Sequence, residues 1–251
     1  MANKVSEPRV PYESVNDSIS WIRDYETEAE VLDASRQIVL YFGLQTFVFG
    51  ALSRTDDREH YRYLVGCNPE WCFLYDLNKW YAIDPCVDYA LQNTSPALGS
   101  QIPVITTGQK RLLEAAARYG FRSGVVVPAH SPSSARVGVL YLGSTEEEQF
   151  LFENYRRHRN LMRAFALELL EWWDARLRET NMDAMHLDEL DLELLQKAQE
   201  LATAEAAARE LGITVSLVTG RYRRLFEKLD VRDKRHAVEK AIALGLIKAR
   251  A

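Results

Sequence analysis

Two helix-like segments near the carboxyl end of the chain are joined by a very short turn. The turn is Leu211-Gly212-Ile213, and the segment that follows, residues 218–231, is rich in arginine. A glycine between two amphipathic helices, of which the second is basic, is typical of a helix-turn-helix. This pattern restricts the last quarter of the chain to a small all-α unit and predicts that it binds double-stranded DNA.

The charge distribution supports the same interpretation. The 251-residue chain has a formal net charge of −5, which excludes a uniformly basic nucleic-acid coat. Residues 204–251 nevertheless carry eleven basic and six acidic side chains, so this end is near +5 and the remainder near −10. A chain that is acidic over most of its length and basic near its carboxyl end fits a sensor joined to a DNA-binding unit. The alternative is chance clustering of charge.

Several classes of protein are excluded by composition and motifs. The three cysteines, Cys67, Cys72 and Cys86, contain no Cys-x-x-Cys pair, which argues against a disulfide framework or a zinc site and for a reducing cytoplasm. No apolar run is long enough to span a membrane, and the first residues lack the apolar core of a signal peptide. Neither a Gly-x-Ser-x-Gly motif nor metal-ligand spacing is present, so we expect no enzyme, no metal and no cofactor.

Hydrophobic periodicity upstream of the basic end predicts alternating helices and strands. We therefore expect an α+β protein, with an N-terminal α/β/α sandwich of the GAF/PAS-like kind and a C-terminal all-α helix-turn-helix domain. The expected domains are 1–175 for the sensor, 176–187 for a polar linker and 188–251 for DNA binding. Helices are expected at 18–41, 69–81, 87–92, 109–119 and 145–179, strands at 45–52, 61–65, 123–128 and 137–142, a turn at 55–58 and a loop at 130–134.

Helical spacing defines which face of the basic helix meets DNA. Ser216, Thr219 and Arg223 share one face, at i, i+3 and i+7, and we expect them to approach base edges in the major groove. Leu217, Leu225 and Leu229 are expected to face the core. Arg221 and Arg224 flank the exposed face, and the predicted contacts with phosphates come from Lys228, Arg232, Lys234 and Arg235. The alternative is a solvated basic helix in a bundle.

Both halves of the chain resemble the LuxR-type transcription factors of bacterial quorum sensing. At the carboxyl end the resemblance covers about residues 187–247 and includes Asp191-x-Glu193-x-Leu195, the Leu-Gly-Ile turn, and the sequences Phe226–Val231 and Ala243–Ile247. Upstream, the family pattern of Trp-x-x-x-Tyr followed nine residues later by Asp-Pro occurs as Trp71, Tyr75, Asp84 and Pro85, with family glycines at Gly124 and Gly138. Two departures from the family pattern leave the DNA target sequence open. They are Leu201 and the sequence Leu217-Val218-Thr219.

The resemblance implies a ligand, an N-acyl-homoserine lactone or a similar amphiphile, and a binding pocket. In the family, the residue matching Trp71 donates its indole N–H to the ring carbonyl, and the residue matching Asp84 accepts the amide N–H. Tyr75 packs against the ligand or reaches its amide. The expected pocket also includes Asn68, Val87, Phe121 and Tyr141. The alternative is that Trp71 and Tyr75 are ordinary core aromatics and that Asp84 caps a helix.

Four residues, Asn68, Gly99, Tyr141 and Cys86, depart from the family pattern inside this expected pocket and put the identity of the ligand in question. Gly99 stands where an aromatic wall is usual, and Cys86 stands where a threonine sometimes follows Asp-Pro. Tyr141 could fill the space that Gly99 leaves, or it could offer a hydroxyl to a differently shaped ligand.

The resulting hypothesis is a ligand-responsive, cytoplasmic regulator that binds DNA as a homodimer. Two half-sites one helical turn apart would match a two-fold dimer. The long helix at 145–179 is a candidate dimer surface through Trp172 and Trp173, unless these residues pack within one subunit. The alternative function is a ligand-independent regulator of the same fold whose pocket is filled. An enzyme is the third and weakest hypothesis.

Overall fold

The computed structural model describes residues 14–53, 61–130, 136–201 and 203–249. These residues form two compact units, the first drawn from 14–50, 62–129 and 138–169, and the second from 51–53, 61, 130, 136–137 and 170–249. The turn predicted at 55–58, and all but the first residue of the loop predicted at 130–134, lie outside the described residues. None of the described helices is both long and apolar enough to span a bilayer.

A five-stranded antiparallel sheet is the centre of the amino-terminal part. Its strands are β1 (Thr46–Ser53), β2 (Tyr61–Gly66), β3 (Ala97–Leu98), β4 (Ser123–His130) and β5 (Arg136–Ser144), in the spatial order β2-β1-β5-β4-β3. Strand β3 pairs antiparallel with β4, with Ala97 opposite Val126. Every residue from Ser123 to Ala129 is buried. Because successive side chains of a strand point to opposite faces, β4 is covered on both sides.

Six helices accompany this sheet, and five of the six are started by a side-chain cap, α1 by Ser14. They are α1 (Val15–Ser20), α2 (Glu28–Tyr41), α3 (Pro69–Leu77), α4 (Pro85–Gln92), α5 (Thr107–Ala117) and α6 (Glu148–Ala184). Thr27 and Thr106 form capping boxes at α2 and α5. Asn68 and Asp84 cap α3 and α4, each just before a proline. These local signals fix where the helices begin.

Three helix boundaries differ from the expectation. The predicted helix 18–41 is two helices separated by a 3-10 turn at Trp21–Asp24, because the Thr27 capping box starts a new helix. The predicted helix 69–81 ends at Leu77, and Lys79 has a positive φ of 51° before a second 3-10 turn. Helix α6 continues to Ala184, so most of the predicted linker 176–187 is helical.

Four helices complete the chain: α7 (Glu189–Ala198), α8 (Ala204–Leu211), α9 (Val215–Lys228) and α10 (Lys234–Ala243). They enclose one apolar core, which includes Leu192, Leu195, Ala207, Val218, Leu225, Leu229, Ala237 and Ala241. Gly212 ends α8 in the left-handed conformation, with φ of 67°, and permits the tight turn into α9.

The predicted inward face of α9 is wrong at one position. Leu217 is 39% exposed, whereas Val218 is fully buried. The cap at Thr214 starts the helix at Val215. In this register Val218, Leu225 and Leu229, at i, i+7 and i+11, point inward together.

Candidate functional site

A cluster of aromatic side chains surrounds Trp71 on helix α3. The Trp71 ring lies 5.5 Å from Trp80, 5.8 Å from Tyr75, 5.8 Å from Tyr119 and 6.1 Å from Phe121, measured between ring centroids. Tyr141 extends the cluster from strand β5, with its ring 5.1 Å from that of Phe121. Four of the predicted pocket residues, Trp71, Tyr75, Phe121 and Tyr141, are therefore brought together in one place.

Asp84 forms the polar edge of this cluster. One carboxylate oxygen accepts the Cys86 backbone N–H at 2.8 Å, and the other accepts the Tyr75 hydroxyl at 2.8 Å. The Val87 backbone N–H also contributes to the stabilisation of the carboxylate. Asp84 is thus a helix cap, and its half-buried carboxylate also accepts the Tyr75 hydroxyl; its contact with a ligand stays a prediction.

Burial raises the pKa of Asp84, because desolvation disfavours its charged form, and the bonds from Tyr75, Cys86 and Val87 oppose that rise. The Cys86 thiol lies within hydrogen-bond reach of both Asp84 and the Tyr141 hydroxyl. Burial also raises the pKa of Cys86, Tyr141 and Tyr75 well above their ordinary values. These three groups are therefore neutral donors at physiological pH, and only Asp84 can carry charge in this network.

The Trp71 indole is buried, with 6% of its surface exposed. Within the described part of the chain its N–H has no hydrogen-bond partner. The indole N–H is therefore available to donate to an acceptor atom supplied from outside the chain.

Two further predicted pocket residues are Asn68 and Val87. Asn68 is exposed, and its side-chain oxygen caps helix α3 by accepting the Glu70 N–H at 3.0 Å. The cap uses its side-chain oxygen, and its predicted place in the pocket stays a prediction. Val87 is buried, with 7% exposure, and reaches Asp84 through its backbone.

Three residues near the site were not singled out from the sequence as pocket residues: Tyr63, Trp80 and Tyr119. Trp80 reaches Trp71 and Tyr75 only because the chain turns back in a 3-10 turn after Lys79. The density of aromatic residues at 71–81 is the one sequence signal that could have indicated it.

Glycines let the strands beside the site approach closely. A Cβ at Gly124 would lie 2.4 Å from the Leu142 carbonyl oxygen, and one at Gly138 would lie 2.9 Å from the Phe49 ring. Gly99 differs, since a Cβ there would meet only the Gly124 oxygen at 3.7 Å. Gly124 and Gly138 are thus required by packing, whereas Gly99 leaves room for a side chain.

A second candidate site is the outer face of helix α9. Ser216, Thr219, Arg223 and Arg224 are all exposed. Arg223 also lines a surface depression of about 450 Å³ together with Arg232, and its other lining residues are Phe226, Glu227, Asp230 and Val231. The side chains predicted to reach base edges are therefore exposed on one side of one helix.

Two of the predicted phosphate-binding lysines are committed to contacts inside the chain. Lys228 donates to the His186 carbonyl and lies 3.3 Å from the Asp191 carboxylate. Lys234 donates to the Leu201 carbonyl at 2.7 Å. The Lys228 charge is thus already paired with Asp191, and its predicted contact with phosphate stays a prediction. Arg235 is 85% exposed and pairs with Glu239 along its own helix.

Asp191 is the centre of a charge network that joins helices α7 and α9. Only 3% of the residue is exposed, and it pairs with Arg221 at 2.9 Å as well as with Lys228. Arg221 also binds Asp188, and this bond lowers the pKa of Asp188. Arg221, which was expected to flank the exposed face, is therefore a structural residue.

The tryptophan pair on helix α6 was predicted as a dimer surface. Trp172 is only 4% exposed within a single chain, and Arg176 lies 6.0 Å from its ring centroid. Its assignment to a dimer surface was therefore wrong. Trp173 is half-buried, 5.7 Å from the Trp172 ring.

Comparison with known proteins gives matches in both sequence and structure. Residues 27–171 match the family model of the autoinducer binding domain. The transcriptional activator protein PhzR of Pseudomonas fluorescens is 26% identical over 206 residues, which are 80% of this chain and 82% of PhzR.

Two solved structures share the fold. SdiA, an Escherichia coli protein, in complex with octanoyl-rac-glycerol aligns over 94% of this chain and 96% of its own, with a TM-score of 0.62 and 17% identity. CepR2 of Burkholderia cenocepacia, described as an N-acylhomoserine lactone dependent LuxR family transcription factor, aligns over 65% of this chain and 94% of its own, with a TM-score of 0.53 and 16% identity. At such identities the likeness concerns the fold alone.

Proposed function

Because this chain belongs to the autoinducer-binding, LuxR-type family of quorum-sensing receptors, we propose that it regulates transcription by binding a small signal and DNA. The observation that carries the proposal is the arrangement of Trp71, Tyr75 and Asp84, which offers a donor and a buried acceptor beside an apolar aromatic wall. The amino-terminal part is then the GAF/PAS-like sensor, an α/β/α sandwich.

The proposed ligand is an N-acyl-homoserine lactone or a similar amphiphile. The Trp71 indole N–H donates to a ligand carbonyl, and Asp84 accepts the amide N–H. Tyr75 holds the Asp84 carboxylate in place through the 2.8 Å bond between its hydroxyl and that group. Phe121 and Tyr141 supply apolar surface for the remainder of the ligand, and no cofactor is needed. CepR2 is described as lactone dependent and SdiA was solved with an octanoyl glycerol, so both ligand types belong in the test.

The proposed DNA-binding unit is a helix-turn-helix formed by α8 and α9, within the domain 188–251. Ser216, Thr219 and Arg223 contact base edges, while Arg224, Arg232 and Arg235 contact phosphates. A homodimer in the cytoplasm binds two half-sites one helical turn apart.

The alternative is a ligand-independent regulator. It is favoured by the hydrogen bonds that Tyr75 and Cys86 already make to Asp84. The test is a DNA-binding titration of the purified chain, with and without octanoyl-homoserine lactone. Our proposal predicts that the lactone changes the Kd for operator DNA, whereas the same Kd with and without lactones of any tail length would favour the alternative. A ligand can change DNA binding only through different affinities for the two states.

Replacing Arg223 with alanine is expected to weaken specific DNA binding by about 1–3 kcal/mol, because one base contact is lost. The measurement is the Kd for operator DNA, compared with that for a scrambled duplex at the same salt concentration. The control is Arg159→Ala on helix α6, which removes the same charge from an exposed position outside α9. A wild-type Kd for Arg223→Ala would mean that the base contacts are assigned to the wrong face of α9.

The raised pKa of Asp84 predicts that ligand binding depends on pH. As the pH falls through that pKa, the carboxyl is protonated and loses its strength as an acceptor, so lactone affinity falls. The unliganded protein responds with the opposite sign, because a carboxyl whose folded pKa is above its unfolded value, about 3.9, costs stability at higher pH. The shift in Tm caused by the lactone, measured from pH 7 down to 4.5, should shrink in the wild type. A shift independent of pH would contradict an ionised Asp84 in the complex.

A further inference from the structure

Gly220 lies inside helix α9 at a position where the fold itself does not require a glycine. It does not have the positive φ that explains Gly212 at the preceding turn. Among the described residues, a Cβ at Gly220 would meet no atom within 4 Å apart from its chain neighbours and the backbone of its own helix. Glycine weakens the interior of a helix relative to alanine, because it loses the most backbone freedom on folding. This position therefore lowers the stability of the free protein without improving its packing.

Gly220 is the centre of the face of α9 that is proposed to meet DNA. At about 100° per residue, Ser216, Leu217, Arg223 and Arg224 all lie within about 60° of Gly220 around the helix axis. All four are exposed, Leu217 by 39%. The centre of this face thus has no side chain, and larger side chains surround it.

The side chains next to Gly220 offer few hydrogen-bond donors to a base. Leu217 is apolar, and the Thr219 hydroxyl donates to the backbone carbonyl four residues earlier at 2.9 Å. Towards a base, this hydroxyl can therefore act only as an acceptor. Ser216 and Arg223 carry the nearest donors, about one turn on either side of Gly220. The apolar group that bases present in the major groove is the 5-methyl of thymine, and it is the group that fits the centre of this face.

We propose that Gly220 lets α9 approach a base pair closely and that Leu217 contacts the 5-methyl group of a thymine there. The inference rests on the proposed binding of DNA and names the base that the centre of the face recognises. The guanidinium groups of Arg223 and Arg224 favour a duplex, with its charged phosphates, as the occupant of this face. A side chain at position 220 would fill the space over the base edge and hold the helix away from it.

The probe for both tests is a duplex that the full chain selects from a random-sequence library. The selection is carried out with and without octanoyl-homoserine lactone. The Kd for the selected duplex is compared with that for a scrambled duplex at the same salt concentration, because phosphate contacts depend on salt.

Replacing Gly220 with alanine separates a role in DNA binding from a role in folding. Alanine favours helix and meets no clash within the described chain, so protection of the α9 amides from hydrogen exchange should rise about threefold. The Kd for the selected duplex should nevertheless rise about tenfold, because the added methyl group overpacks a close interface. A wild-type Kd would overturn the close approach. Loss of protection would also overturn it, because the fold itself would then require the glycine.

The second test replaces each thymine of the selected duplex in turn with deoxyuridine, which removes the methyl group and keeps base pairing and charge. For at least one thymine the Kd should rise about fourfold, as for the loss of one buried methyl group. Leu217→Ala should no longer distinguish thymine from deoxyuridine at that position. Val215→Ala is the matched control, because it shortens another exposed apolar side chain of α9, about 140° around the helix from Gly220, and it should keep the discrimination.

The outcomes of the second test separate this inference from the proposed function. Equal Kd values for all thymine and deoxyuridine duplexes would overturn the methyl contact. Discrimination that persists in Leu217→Ala would overturn it as well, because the effect would then come from the shape or stiffness of the DNA. In both cases specific DNA binding, and with it the proposed function, would stand. A full chain that selects and binds no duplex would overturn both.

Discussion

Replacing Asp84 with asparagine is expected to weaken the response to ligand strongly while the protein still folds. Asparagine is nearly the same size, and its side-chain oxygen can keep the bond from the Cys86 N–H. Its amide nitrogen would then donate to the Tyr75 hydroxyl, which can accept as well as donate. The ligand amide N–H, however, would lose an ionised acceptor. Hydrogen bonds to charged groups contribute about 1.5–3 kcal/mol, so a loss near 2 kcal/mol, roughly thirtyfold in Kd, is expected.

The measurement for Asp84→Asn is the lactone Kd by calorimetry, with far-UV circular dichroism to establish folding. Asp88→Asn is the matched control, because it removes one carboxylate from the same helix α4. The control should bind lactone like the wild type. Wild-type affinity in Asp84→Asn itself, together with a wild-type fold, would show that Asp84 is a helix cap only. The asparagine variant should also lose the dependence of binding on pH that is expected of the wild type.

The second large effect is expected for the Asp191→Ala variant. It concerns the stability of the carboxyl-terminal helices and not the binding of ligand. Asp191→Ala leaves Arg221 and Lys228 without their buried partner, although Arg221 keeps its bond to Asp188. Removing one partner of a buried ion pair costs about 3–5 kcal/mol. The Arg221 and Lys228 side chains are 21% and 31% exposed, so water compensates them in part and we expect about 2–3 kcal/mol.

Hydrogen exchange at the amides of α7 and α9 measures this loss in the full chain, where unfolding of two units need not be one transition. The control is Glu193→Ala, which removes an exposed acid from the same helix and should stay within about 0.5 kcal/mol of the wild type. Unchanged exchange protection in Asp191→Ala would show that the network contributes nothing to stability. Specific DNA binding should weaken with the loss of protection, because Asp191 helps to hold the recognition helix.

Local signals predicted most elements of the fold. Alternating apolar residues located the long strands, and Gly212 located the turn between α8 and α9. Boundaries failed where a cap competes with an apolar pattern, as at Thr27, whose side chain starts a new helix inside a continuous periodic stretch. The two-residue strand β3 was not predicted, because it exists only through its pairing with β4.

The residues of the candidate site could be predicted where a sequence motif specifies them. They could not be predicted where a polar side chain can bond to several alternative partners. Tyr75 contacts both Trp71 and Asp84, in keeping with what the resemblance to the family implies. Asn68 and Lys228 are polar residues whose roles depend on neighbours distant in sequence or on a cap, and the sequence could not indicate those partners. Trp172 shows the same limit, because an apolar residue on a long helix fits both a core and an interface.

The central claim is that a lactone completes the site formed by Trp71 and Asp84, and its most direct test is the Tm of the purified chain against acyl-homoserine lactones of different tail lengths. A ligand that binds only the native state stabilises it by mass action, by about 2.7 kcal/mol at one hundred times Kd. The account predicts a Tm that rises with concentration for one tail length and rises much less for Asp84→Asn at the same concentrations. A folded protein whose Tm is unchanged across the whole panel would contradict it.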